Sequence, residues 1–430
     1  MPALGVYFNG INSSELFQDL DFYLYGNVAA LKKYGDGLPP NSSVPDMLIR
    51  LARESDVHKT SRGGPKGMGE RIPLWKGIRE FSLAQLVKDG LVPALGNAIS
   101  QEDMLTSHGV ESFMRALRSR AKGELSVVFG GHGGGPRIVI ARVGIELERT
   151  TRMPRRGGGR GDGEATVQTG VPPTFLTASG VCAGLARAGI GPADRLGMIG
   201  LDACLDATME LAVEFSPYAK VLCASEMTIP LMGWNYASWP AALFTDDELT
   251  SRCAAIVQNY RDTYSACGGP PAAHSLSAID LEQMAHVTKS MRKLSSFVIN
   301  DAHARSRLLD ARRAVPGLPY SNETTVDAMS LFKAFAEKSA DPRARQLAGD
   351  AVESIRNAVG GRAWADSVAQ STGSATGLSI GFPASFADVD DSFRQFYFYS
   401  ADELAKFKTE TGWHAAVASC FGEKIPLAGT

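Results

Sequence analysis

Cys204 and His132 are the residues of this chain whose type and surroundings could support covalent chemistry. Cys204 ends Leu196-Gly-Met-Ile-Gly-Leu-Asp-Ala-Cys204, an apolar run flanked by the turn residues Gly191-Pro192 and Asp206. A short apolar run between turns suits a buried strand of a parallel sheet, and function in such sheets gathers where strands end. The thiol would then sit at the mouth of the sheet and at the start of the next helix, whose positive end would lower its pKa. His132 follows a run of the same design, Leu125-Ser-Val-Val-Phe129, which opens into Gly130-Gly-His-Gly-Gly-Gly-Pro136. Parallel neighbours would bring both residues to one sheet edge. There a base could activate a thiol that at its ordinary pKa of about 8.5 is only slightly ionised at neutral pH. The glycines let backbone approach a substrate and offer N–H groups to an oxyanion. A lone cysteine after a strand is usually a core residue and a lone His-Gly usually a loop. Both together, histidine first, favour catalysis.

These residues carry a resemblance. Four apolar residues then His132-Gly133, and an apolar run then Asp202-Ala-Cys204, resemble the clostripain family of cysteine peptidases. The likeness continues through Ala224-Ser-Glu226, Gly233-Trp234-Asn-Tyr236, Leu276-Ser-Ala-Ile-Asp280 and Thr376-Gly-Leu-Ser-Ile-Gly-Phe-Pro383. It covers roughly residues 100 to 430, with Gly381 standing where an aromatic residue is expected and Asn235 where proline is. The resemblance implies a caspase-like α/β/α sandwich with a mostly parallel central sheet, as in caspases, legumain and gingipains, plus a mainly helical C-terminal region. It also implies an endopeptidase working through a Cys204–His132 dyad and an acyl-enzyme, with Gly133 and Cys204 N–H groups as the oxyanion hole by analogy.

With 430 residues the chain can bury large cores in two or three units. A net charge of −2 gives no reason to expect nucleic acid or an anionic membrane as partner. Met1-Pro-Ala-Leu-Gly-Val has no basic region followed by a long apolar core, and no apolar run approaches the roughly 18 residues of a transmembrane helix. The six cysteines, at 182, 204, 223, 253, 267 and 420, show no C-x-x-C pairing. Reduced thiols in a cytoplasm fit this better than a disulfide frame or a zinc site. Secretion, common among the resembled proteins, is the alternative if a leader has been removed.

Taken in order, the chain reads as a strand at Leu4–Phe8, a helix over Phe17–Lys33, a strand at Met47–Leu51 and a polar, Gly-rich surface loop or hairpin over 54–76. A helix over 101–122, opened by Ser100-Gln-Glu-Asp, leads into the His132 strand in a βαβ pattern. Further helices are expected over Pro172–Ala188, Asp206–Phe215 and 245–265, with a strand at Lys220–Ala224. Three strand ends, at 130, 203 and 224, would thus line one cleft. Ala266-Cys-Gly-Gly-Pro-Pro-Ala-Ala-His274 is the best boundary, between a catalytic domain (1–268) and a mainly helical domain (274–430). Thr376–Phe382 reads as a strand and Ser400–Ser419 as a final helix.

The most unusual stretch is Arg149–Gly163, with Arg149, Arg152, Arg155, Arg156 and Arg160 set among glycines. It cannot bury much. It is a solvated linker, an RNA-binding Arg-Gly segment, or, as the resemblance suggests, a self-cleavage loop for a protease specific for basic residues. The second reading suffers from a tract that is short, unrepeated and without aromatics.

Asp202 shares a strand face with Cys204, so its carboxylate could pair with a substrate arginine, the role the resemblance implies; otherwise it caps the next helix. Glu226 lies in the pocket or orients a loop, and Trp234 walls the pocket or joins the core. The other cysteines read as structural. His58, His108, His274, His286, His303 and His414 read as surface or capping residues. No metal site is expected. Some resembled proteins need calcium, for which Asp388-Val-Asp-Asp391 is a weak candidate and no EF-hand loop exists. The expected partners are peptides or proteins with exposed Arg or Lys, acted on by a monomer or by two processed chains that stay together. One rival is a serine esterase, since Gly377-Leu-Ser379-Ile-Gly381 fits G-x-S-x-G and Asp388 or Asp391 and His414 follow. The other is a catalytically silent scaffold.

Overall fold

The computed structural model describes residues 2–10, 19–40, 42–53, 77–90, 98–99, 104–141, 175–230, 232–266, 275–318, 324–359, 375–387 and 389–425. In chain order its strands are β1 (Ala3–Gly10), β2 (Asp46–Arg53), β3 (Gly77–Ser82), β4 (Ala98–Ile99), β5 (Leu125–Gly130), β6 (Ile140–Ala141), β7 (Phe175–Leu176), β8 (Leu196–Asp202), β9 (Ala219–Ala224), β10 (Ser277–Asp280), β11 (Thr325–Asp327) and β12 (Ser379–Gly381). Eight form one sheet in the order β10-β9-β8-β5-β1-β2-β3-β4. The β9-β8-β5-β1-β2 core is parallel throughout, and the antiparallel pairings lie toward the edges.

The sequence explains why the parallel core is central. β8 is buried at every position, as its unbroken apolar run requires. Side chains alternate between two covered faces. Tyr7 packs edge-on to Phe113 of the helix Ser107–Arg120 and to Phe129 of β5. Its neighbour Phe8 packs on the opposite face against Tyr236. Gly130, level with Phe8, lacks a side chain for a reason: a Cβ there would lie 2.6 Å from the Phe8 ring. The register then runs Phe8↔Gly130↔Asp202, so Asp202 shares the face covered by Tyr236, Trp234 and Trp239.

Several elements differ from the sequence expectation in their limits. The helix before β5 is capped by Thr106 rather than by the 100–103 segment, which lies outside the described residues. The expected final helix is two, Ala405–Thr411 and Trp413–Cys420, broken at Gly412 in the left-handed region with φ 65°. Past the Gly/Pro-rich segment, β10 pairs antiparallel with β9 and so extends the main sheet. Gly381, where an aromatic was expected, faces Tyr397: a Cβ would lie 2.6 Å from its ring, and the Tyr397 hydroxyl donates to buried Glu210 at 2.6 Å. An aromatic from elsewhere in the chain fills that space.

Candidate active site

β5 and β8 are parallel neighbours that end level, Gly130 opposite Asp202, and the Gly131 N–H donates to the Asp202 carbonyl at 3.3 Å. The turns that follow are therefore pressed together. A Cβ on Gly133 would lie 2.3 Å from the Cys204 carbonyl oxygen, 2.9 Å from Ala203 Cβ and 2.6 Å from Asp206 Oδ2. Only glycine permits that approach, which sets the residue after His132 against the backbone of Cys204.

After Cys204 the chain does not enter a helix at once. Leu205 adopts φ 67°, in the left-handed region, and the next helix, Met209–Phe215, is capped by Thr208. A non-glycine residue held there stores strain on the order of 1 kcal/mol. It is held by main-chain bonds to the segment leaving β9: Leu205 N–H to Met227 O at 3.0 Å and Ala207 N–H to Ser225 O at 2.8 Å. The expected lowering of the thiol pKa by a helix start is thus corrected. Burial pushes Cys204 up to about 11, with Asp206 and Asp202 adding to the rise and the Ile229 N–H opposing it. That N–H donates to Cys204 Sγ at 3.3 Å, and the thiol approaches the Ile229 carbonyl at 3.8 Å. His132 is pushed down by burial to about 4. At neutral pH the pair rests as thiol and neutral imidazole.

Asp202 is 6% exposed. Its Oδ2 accepts the Trp234 N–H at 3.2 Å and the Tyr236 hydroxyl at 2.9 Å. Gly233, at φ 61°, lies so close that a Cβ would meet Oδ2 at 2.4 Å. Oδ1 is buried with no hydrogen-bond partner among the described residues. Burial raises the carboxyl to about 6, and the two donors only partly offset this. Asp202 does not cap the following helix, since Thr208 does.

Two expected pocket residues are scaffold instead. Trp234 is 1% exposed, with its ring over Gly200 and edge-on to Trp239; its backbone, not its ring, serves Asp202. Glu226 is 1% exposed. It accepts the Gly377 N–H at 2.5 Å, and burial together with the nearby Asp327 carboxylate holds its carboxyl well above the usual range. It orients the segment leaving β9. Ser379 is 1% exposed in β12 and donates to the Ala207 carbonyl at 3.2 Å. That is not a strand-to-helix elbow, so the esterase arrangement is absent. His414 is buried in the helix Trp413–Cys420, a correction to its surface reading. Among the described residues no group of three or more His, Cys, Asp or Glu could hold a metal, and no helix is long and apolar enough to cross a membrane. The five loop arginines, Cys267, His58, His274 and Asp388 lie outside the described residues.

Sequence reasoning missed Ile229, whose backbone bonds carry no residue signature, and Asp206, which it read as a turn residue. Asp206 is fully buried, and its Oδ1 accepts the Gly135 N–H at 3.2 Å. Two residues from Cys204 along the chain, its polarity was the available signal.

A profile of the clostripain family matches residues 185–414, more than half of the chain. The chain belongs to the clostripain family. As a member of that family of cysteine peptidases it has solved relatives of the same fold. A secreted cysteine protease from Bacteroides thetaiotaomicron, "iotapain", is 16% identical with a TM-score of 0.55, over 97% of this chain and 99% of that one. A secreted cysteine protease of the same organism, in complex with an irreversible peptide inhibitor, is 14% identical with a TM-score of 0.61, over 96% and 99%. An inactive zymogen protease from Parabacteroides distasonis is 14% identical with a TM-score of 0.56, over 97% of each chain. No curated protein matches the chain. The clostripain-family, caspase-like fold expected from the His-Gly and Asp-Ala-Cys segments is the fold observed.

Proposed function

We propose that the chain is a cysteine endopeptidase that cleaves after arginine, and to a lesser degree lysine, through Cys204 and His132. The observation that carries this is the close seating of Gly133 on the Cys204 carbonyl at the end of two level parallel strands. In the reaction the Cys204 thiol passes its proton to His132 and its sulfur attacks the substrate carbonyl. The N–H groups of Gly133 and Cys204 receive the oxyanion. The His132 imidazolium then protonates the leaving amine, giving an acyl-enzyme that water hydrolyses. Asp202 Oδ1, buried without a partner among the described residues, is the acceptor for a substrate guanidinium. Self-processing falls in the arginine-rich segment 149–163. None of these steps is assigned to a metal ion, and the resemblance leaves calcium as an activator for the assay below to test.

The test compares the protein with Cys204→Ala on chromogenic amides ending in Arg, Lys, Asp, Leu or Phe, with and without calcium, alongside intact-mass analysis. Cys204-dependent release after Arg, with fragments ending between 149 and 160, is expected. Equal turnover of all five amides would remove the specificity. The hold of the Ile229 N–H and carbonyl on the Cys204 sulfur favours one second reading, a silent scaffold, and absence of release from every amide would select it.

A further inference from the structure

One buried carboxyl at the site has no part in the chemistry above. Asp206 is fully buried in the turn after Cys204. Its Oδ1 accepts the Gly135 N–H at 3.2 Å, while its Oδ2 lies 2.6 Å from the position a Gly133 Cβ would take. Oδ2 has no hydrogen-bond partner among the described residues. Burying an underused carboxyl is costly, and an apolar side chain would fill the space at less cost. What the carboxyl supplies is an acceptor for a turn of glycines that has no side chains to anchor it, and Gly135 sits there at φ 76°. The Gly131 N–H to the Asp202 carbonyl also joins the His132 turn to the Cys204 turn, and Gly133 lies in van der Waals contact with it.

We propose that Asp206 is a positioning residue of the peptidase site, clamping the Gly133–Gly135 turn onto the Cys204 turn and so fixing His132 and the Gly133 N–H over the thiol. The inference rests on the Cys204–His132 reading. A turn freed to shift by about 1 Å would lose rate in the range of a hundredfold, because proton transfer and oxyanion stabilisation both depend on that alignment. Substrate binding through Asp202, whose own bonds go to Trp234 and Tyr236, would change little.

The test measures kcat, KM and thermal midpoint on an arginine amide for Asp206→Ala and Asp206→Asn, with Cys204→Ala and His132→Ala as controls. Asp206→Ala is expected to lose tenfold to a hundredfold in kcat with KM within about twofold. Asp206→Asn, whose amide oxygen can accept the same N–H, is expected to recover most of the loss. If Asp206→Ala does not fold, Asp206→Ser, whose hydroxyl is too short to reach Gly135, carries the same expectation. A folded Asp206→Ala with unchanged kcat, or an Asp206→Asn as slow as Asp206→Ala, overturns the proposal. Activity surviving Cys204→Ala overturns the dyad reading and this inference with it. Inactive controls beside a fully active Asp206→Ala overturn this inference alone.

Discussion

Ile229 holds the sulfur of Cys204 through its own backbone, its N–H donating to Sγ at 3.3 Å and its carbonyl facing the thiol at 3.8 Å. The segment leaving β9 therefore lies against the nucleophile. Attack on a substrate requires the sulfur to leave this pair of groups.

Thiol reactivity should show it. With Cys204 pushed up to about 11, iodoacetamide should modify it slowly at neutral pH. The rate should rise about tenfold per pH unit and level off only near 11, since the thiolate is the reacting form. Mass spectrometry of the Cys204 peptide follows the rate. A plateau near pH 7 would mean an ionised resting pair.

Asp202 gives a second pH signature. Its raised pKa of about 6 leaves it neutral, and weakly attractive to a guanidinium, below that value. The kcat/KM on arginine amides, which reports the free enzyme, should fall as pH drops through 6, with no matching step for a neutral residue at the cut. Asp202→Ala should cost roughly tenfold to a hundredfold on arginine substrates, the worth of a hydrogen bond to a charged group. An equal loss on neutral substrates would deny it the pocket role.

Gly133→Ala tests the seating of the two turns. The added methyl would sit 2.3 Å from the Cys204 carbonyl, so backbone must move. Activity should fall by a hundredfold or more, while a melting curve shows a folded protein. Ser379→Ala, by contrast, should leave amide hydrolysis intact.

Glu226 and Asp327 are both held above the usual carboxylate range, each chiefly by burial, and the charge of Asp327 adds to the rise of Glu226. A carboxyl whose folded pKa is raised stabilises the fold at low pH and loses that contribution as pH rises through the folded value. Glu226→Gln removes one of the two titrating carboxyls while keeping its shape. Its thermal midpoint should fall less than the wild type's between pH 5 and 9. Parallel curves would show that the pair does not titrate there.

Much of this was legible in the sequence because the signals are local. Unbroken apolar runs predict the buried parallel strands β5 and β8, and turn residues mark where they stop. The placing of His132, Gly133 and Cys204 just past the ends of β5 and β8, with Asp202 closing β8, was readable for the same reason. Only tertiary structure decided the rest. The thiol pKa depends on burial and on Ile229, which is 25 residues away in the chain, rather than on a helix start. Trp234 and Glu226 went to the scaffold because the faces they meet, Gly200 with Trp239 and Gly377 with Asp327, belong to other elements. Asp206 looked like a turn residue until the Gly135 N–H appeared opposite it. Chain neighbours set strands and turns, whereas burial and long-range hydrogen bonds set the charge and reach of each side chain, and these exist only once the turns are packed together.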